Sequence, residues 1–188
     1  MLDAIFYDYM EMKRVAVKEA DGEVPMMLFA APDPLDDTER DTPIAAIVVP
    51  SSSIDLVGRA LAKLLAELFI PHWVACCSDA FIAPHGMAVD EGVAHRGDLE
   101  KLHQAGDKRI KEGLTITATD HEGDVYTNTV TYWFDSDGDI WYDDVEPSTP
   151  EEAQQSEGPI LDALRAVVSL HGLSESEIVA KIAPFNMN

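Results

Sequence analysis

The sequence predicts an α+β fold: a single domain with a mixed or mainly antiparallel sheet, a C-terminal β-meander, helices on one face and a C-terminal helical hairpin. Three stretches carry that expectation. Leu114 to Asp144 reads as two consecutive β-hairpins sharing a middle strand. Ile54 to Ile70 has the widest apolar stripe at helical spacing. Pro159 to Ile182 has two amphipathic segments separated by Gly172. The expected division is a core domain over 1–146, an acidic linker over 147–158 and the helical hairpin over 159–188.

In Leu2 to Glu19, apolar residues recur at three- and four-residue spacing (Leu2, Ile5, Phe6, Tyr9, Met12), which predicts a helix near 2–18. The part from Arg14 to Lys18 reads equally well as a short strand. Val24 to Ala31 reads as a strand, with Pro25 at its start arguing for a sheet edge. An acidic, proline-containing loop follows to Pro43. Ile44 to Val49 is a short β-branched run of the interior-strand type. Pro50-Ser-Ser-Ser53 is a helix-start signal, with serine as N-cap and Asp55 in the first turn. Leu56, Val57, Ala60, Leu61, Leu64, Leu65 and Leu68 then form the apolar stripe, and Pro71 ends it.

His72 to Ile82 reads as a strand and Ala83 to Gly97 as a surface loop. Asp98 to Gly113 reads as helical, in two pieces broken at Gly106-Asp107. Leu114 to Thr119 alternates apolar and hydroxyl residues, the mark of a strand with one buried face. Val125 to Phe134 is rich in Thr, Tyr and Val and places Tyr126, Asn128, Val130, Tyr132 and Phe134 on one face. Asp137-Gly138 is a hairpin signal, and the strand returns over 140–143. Thr149-Pro-Glu-Glu152 and Ser174-Glu-Ser-Glu177 both have capping-box spacing, and Gly172 is a natural helix C-cap.

Charge is the most unusual feature of the composition. Thirty-five acidic residues against thirteen basic ones leave a formal net charge of -22. From Glu112 to Ala163 there are 14 acids and no Lys or Arg, while Arg96, Lys101, Lys108, Arg109 and Lys111 cluster just before. Such a field argues against contact with nucleic-acid phosphates or anionic membranes without a metal bridge. It favours a non-catalytic interaction protein that meets a basic protein partner through an acidic sheet edge made of Asp120, Glu122, Asp124, Asp135, Asp137, Asp139, Asp143 and Asp144. Two alternatives remain beside it: a structural, self-associating subunit, as in a virus particle, or a small enzyme or metal-binding protein using the region 72–95.

That last region holds His72, Cys76, Cys77, Asp79, His85 and His95, all of metal-ligating type, but at spacings that match no zinc finger, and H-E-x-x-H is absent. Adjacent cysteines on a strand point to opposite faces, so Cys76 and Cys77 are expected to be reduced, with the chain cytoplasmic. Asp135, Asp137, Asp139, Asp143 and Glu146 follow the spacing of an EF-hand calcium loop, but Ile140 stands where that loop needs Gly, so a hairpin turn is the expected reading. There is no G-x-S-x-G, no G-x-x-x-x-G-K-[ST] and no G-x-G-x-x-G. The expectation is therefore no cofactor, no metal and no assigned catalytic residue. The N-terminus lacks the basic start of a signal peptide, and no run approaches the ~18 apolar residues of a membrane span.

The segment His171-Gly-Leu-Ser-Glu-Ser-Glu-Ile-Val-Ala180, within the pair of C-terminal helices, resembles the first two helices of a helix-turn-helix DNA-binding domain. The likeness covers about 25 residues. It implies DNA binding, yet the local charge is negative where phosphates would sit, so a hairpin for packing or self-association is expected.

Overall fold

The computed structural model describes residues 1–19, 24–33, 45–49, 71–83, 87, 96–143, 146–154 and 159–182. The serine cap at 51–53, the helix expected over 54–70, and His85, His95 and Asp144 lie outside the described residues. Helix α1 (Leu2–Glu19) runs unbroken through Arg14 to Lys18, which settles that stretch as helix. It buries Leu2, Ile5, Phe6, Tyr9 and Met10 against the sheet, one turn apart as the periodicity requires.

Strands β1 (Met26–Ala31), β2 (Ala45–Val49), β3 (Trp73–Ile82), β4 (Lys111–Asp120), β5 (Val125–Phe134) and β6 (Ile140–Tyr142) form an antiparallel sheet in the order β2-β1-β3-β4-β5-β6. The fold is thus α+β, with the expected meander over β4 to β6. Two strand positions differ from expectation. β1 is interior, paired on both sides, because Pro25 precedes the first ladder pair, Met26↔Val49, and so costs the ladder no donor. β2 is outermost among the described strands despite its β-branched run, and Val48 is exposed.

A third difference lies at β4. The helix expected over 98–113 is shorter, α2 (Arg96–Gln104). Gly106, at φ +85°, closes it by donating to the His103 carbonyl, and Asp107 N–H donates to Leu102. The break at Gly106-Asp107 is real, but the second piece is strand: Lys111 to Gly113 extend β4 and pair with Ile82, Phe81 and Ala80. A long cross-strand ladder here outweighs the weak helical propensity of three residues.

Period-2 alternation assigns each strand residue to one of two layers. Trp73, Ala75, Cys77, Leu114, Ile116, Ala118, Val130 and Tyr132 face α1. Val74 and Cys76, with Met26, Leu28 and Ala30, face the opposite side, covered by α4 (Pro159–Val168) through Leu164, Val167 and Val168. The adjacent cysteines therefore enter different cores, as their spacing requires. Between β6 and α4, β7 (Glu146–Pro147) pairs with β5, and the short α3 (Pro150–Gln154) puts Ala153 against Val125 and Leu161. Both capping boxes form: Thr149 N–H and hydroxyl bond to Glu152, and Ser174 N–H and hydroxyl bond to Glu177. The second opens α5 (Glu175–Ile182). Among the described residues no helix is long and apolar enough to cross a membrane.

Gly113 marks where β4 and β5 part. A Cβ there would stand 2.6 Å from the Val130 carbonyl oxygen and overlap the Ile82 side chain. Gly113→Ala is expected to destabilise by about 1–3 kcal/mol through forced backbone movement. Urea unfolding checks this, and an unchanged midpoint would show that the strands separate without strain.

Candidate metal centre

Three histidines from distant parts of the chain meet at one end of the sheet. The last β3–β4 pair is Trp73↔Asp120, so His72 and His121 stand side by side one residue beyond it, tied by a 2.9 Å bond from His121 N–H to the His72 carbonyl. Parity then directs them. Trp73 faces α1, so His72 shares the opposite face with Val74. His121 likewise lies two residues beyond Thr119, on the face away from Ala118. That is the face α4 covers.

The third ring comes from the end of α4. Leu164, Val167 and Val168 seat this helix across β3 and β4. Its last turn tightens, with Leu170 and His171 N–H donating to the carbonyls of Val167 and Val168. Gly172, at φ +74°, turns the chain away. His171 is thereby presented to the other two. Ring centroids are 3.7 Å apart for His72–His121, 4.8 Å for His72–His171 and 4.3 Å for His121–His171, each pair inclined rather than stacked flat.

One ligating nitrogen from each ring lies within 4.8 Å of the others. All three side chains are half-buried, and in each the Nδ1 atom is buried with no hydrogen-bond partner among the described residues. A buried, unpaired polar atom costs about 1–3 kcal/mol, so three rings that each carry one and stand together call for a shared ligand. Tetrahedral coordination with metal–nitrogen bonds near 2.0–2.1 Å spaces donor nitrogens roughly 3.3 Å apart, which modest rotation of the imidazoles reaches. The electrostatics suit a cation. Burial lowers the His72 pKa below its ordinary value, and the neighbouring His121 and His171 lower it further, while the carboxylates of Asp120 and Glu122 push it the other way. His72 is thus biased to the neutral, ligating form, next to fixed negative charge.

The residues marked by sequence sort differently. Among the described metal-type residues in 72–95, only His72 joins this cluster; His85 and His95 lie outside the described residues. Cys76 and Cys77 are buried in opposite layers, and burial pushes the Cys76 thiol up to about 12 and that of Cys77 higher still, so neither is a thiolate. Asp79 forms an ion pair with Lys13 at 2.9 Å.

The acidic edge divides into two groups. Asp120, Glu122 and Asp124 sit beside the histidines with their carboxylate oxygens close together. Asp120 also builds the turn, its Oδ1 accepting from Glu122 and Asp124 N–H. Asp135 does the same for the second hairpin, accepting from Asp137 and Asp139 N–H and from the Trp141 indole. Those bonds, led by the indole's, hold its pKa below the usual carboxylate range. These contacts make the Asp135–Asp139 stretch a hairpin turn, as its residues suggested. Asp139 pairs with Lys18 and Asp143 lies 3.8 Å from Lys111, so part of the edge charge is met within the chain.

Sequence reading missed His121 and His171 because His121 lies in a turn, where it needs no further explanation, and His171 at a helix end. Only the register of β3 on β4 and the seat of α4 bring them to His72. No protein-family model, no curated protein and no solved structure matches the chain.

Proposed function

We propose that this is a metal-binding protein in which His72, His121 and His171 hold one divalent transition-metal ion, zinc being the best match to three imidazoles in a tetrahedral set. The single observation that carries the reading is the convergence of three histidines, each with one ligating nitrogen within 4.8 Å of the others and each with a buried Nδ1 that has no hydrogen-bond partner among the described residues. Three neutral ligands leave the ion its full positive charge and one position for water or an oxygen ligand, with Asp120 and Glu122 near enough to compensate that charge. Such a centre is Lewis-acidic, unlike an all-thiolate site, whose ligands neutralise the ion.

The test is calorimetric titration of zinc into the full chain after chelator dialysis, with cobalt absorption to report the ligand set. One equivalent should bind, with the spectrum of a nitrogen–oxygen tetrahedral site. His121→Ala and His171→Ala should each lose at least about tenfold in affinity, whereas Cys76→Ala should bind as before. No binding, or binding indifferent to the histidines, would refute the proposal.

A further inference from the structure

At the far end of the same ladder, about 30 Å from the histidines, the sheet splits. β4 stays paired with β3 as far as Lys111, but with β5 only as far as Gly113↔Thr131. Beyond Thr131 the β4–β5 ladder ends, while the other edge of β5 pairs with β6 from Tyr132↔Tyr142 to Phe134↔Ile140. Between the diverging strands lies an open cleft of about 460 Å³. Glu112, Trp133, Phe134 and Asp143 line it, and His103 stands 3.1 Å from the Glu112 carboxylate.

Two features set this cleft apart from an ordinary strand end. Trp133 and Phe134 are each 48% exposed, and Trp141, paired across the hairpin from Trp133, is 54% exposed. Trp133 and Trp141 stand side by side on one face, with Phe134 on the other; two neighbouring exposed indoles are unusual and mark an interaction surface. Carboxylates also stand beside the rings. Asp143 accepts the Thr131 hydroxyl and lies 3.8 Å from Lys111, a loose pair on an exposed surface.

We infer that this cleft receives an arginine side chain from a basic protein partner, the guanidinium stacking on Trp133 and bonding to Asp143. Charge complementarity selects the occupant. A chain of net charge -22 repels a second copy of itself and repels nucleic acid. A flat indole beside a carboxylate favours the planar, bidentate guanidinium over the point charge of lysine. The inference stands independently of the metal centre, and it gives the basic partner suggested by the acidic composition a defined seat. Lys111 competes for Asp143, so its removal should strengthen binding.

The experiment is fluorescence anisotropy with two labelled peptides of equal charge, one alternating arginine and glycine, the other lysine and glycine, at low and high salt. The arginine peptide should bind more tightly. Trp133→Ala should weaken it by about tenfold, Asp143→Asn should weaken it, and Lys111→Ala should tighten it. Each variant's thermal midpoint confirms folding. Equal affinity for both peptides, unchanged in Trp133→Ala, would reduce the cleft to general charge attraction and overturn the inference, as would no binding of either.

Discussion

Zinc added to the metal-free protein should raise its thermal unfolding midpoint by about 5–10 °C when free zinc is about a hundred times its dissociation constant. Binding to the folded state alone contributes about 2.7 kcal/mol at that ratio, and a chain of this size gains about 2–4 °C per kcal/mol. The shift arises because the three ligands belong to segments that only the fold assembles: the start of β3, the β4–β5 turn and the end of α4. His171→Ala should remove most of it, since α4 would then no longer be tied to the sheet by metal. Differential scanning fluorimetry with and without zinc measures the effect, and an equal shift in all three histidine variants would place the metal elsewhere.

Falling pH should weaken this binding, since each imidazole must be neutral to ligate. The metal-free protein has its own dependence. The His72 pKa is lower in the folded state than its ordinary value, 6.5. Below that value the unfolded chain binds the proton more readily, so stability falls as pH drops from about 6.5 toward the folded pKa. A urea series from pH 8 to pH 5 should show this loss, and His72→Gln should flatten it.

The second large effect is expected at Lys13. Its side chain is 7% exposed, on the buried face of α1, and its ammonium lies 2.9 Å from Asp79 and 5.2 Å from the Tyr132 ring centre. Burial, with the charges of Asp79 and Glu112, also raises the Tyr132 pKa, so the phenol stays neutral there. Lys13→Met keeps the apolar stem but removes the ammonium 2.9 Å from the Asp79 carboxylate, which is 24% exposed. The cost should be about 2–4 kcal/mol, below that of a fully buried pair because water still reaches Asp79. Adding Asp79→Asn should recover a good part of it by removing the charge. Chemical denaturation of the single and double variants supplies the cycle. If the double variant is no more stable than Lys13→Met, the lost packing of Lys13 and not the stranded charge explains the effect.

Much of the fold was legible because local physics fixes it. α1 and the meander from β4 to β6 follow from period 3.6 and period 2, and both capping boxes follow from Ser or Thr three residues before Glu. The Asp135–Asp139 turn was legible for the same reason: its carboxylate bonds to its own backbone. The errors fall where two distant strands decide. β1 became interior, with β2 outermost among the described strands, and Lys111 to Gly113 joined a strand, because β3 offered β1 and β4 a ladder that no local pattern announces.

By itself, the sequence determined the acidic field, the α+β class, the alternation that sends Cys76 and Cys77 to opposite layers, and the turns that end each element. It did not determine the candidate site. Parity along a strand says which face His72 and His121 take, but only pairing Trp73 with Asp120 makes them neighbours. Only the burial of Leu164, Val167 and Val168 against β3 carries His171 to the same point. A one-residue slip in that ladder would turn His121 to the other face. Ligands so far apart in the chain have no local spacing to read, so the metal centre is a property of the packed sheet and helix, not of any segment.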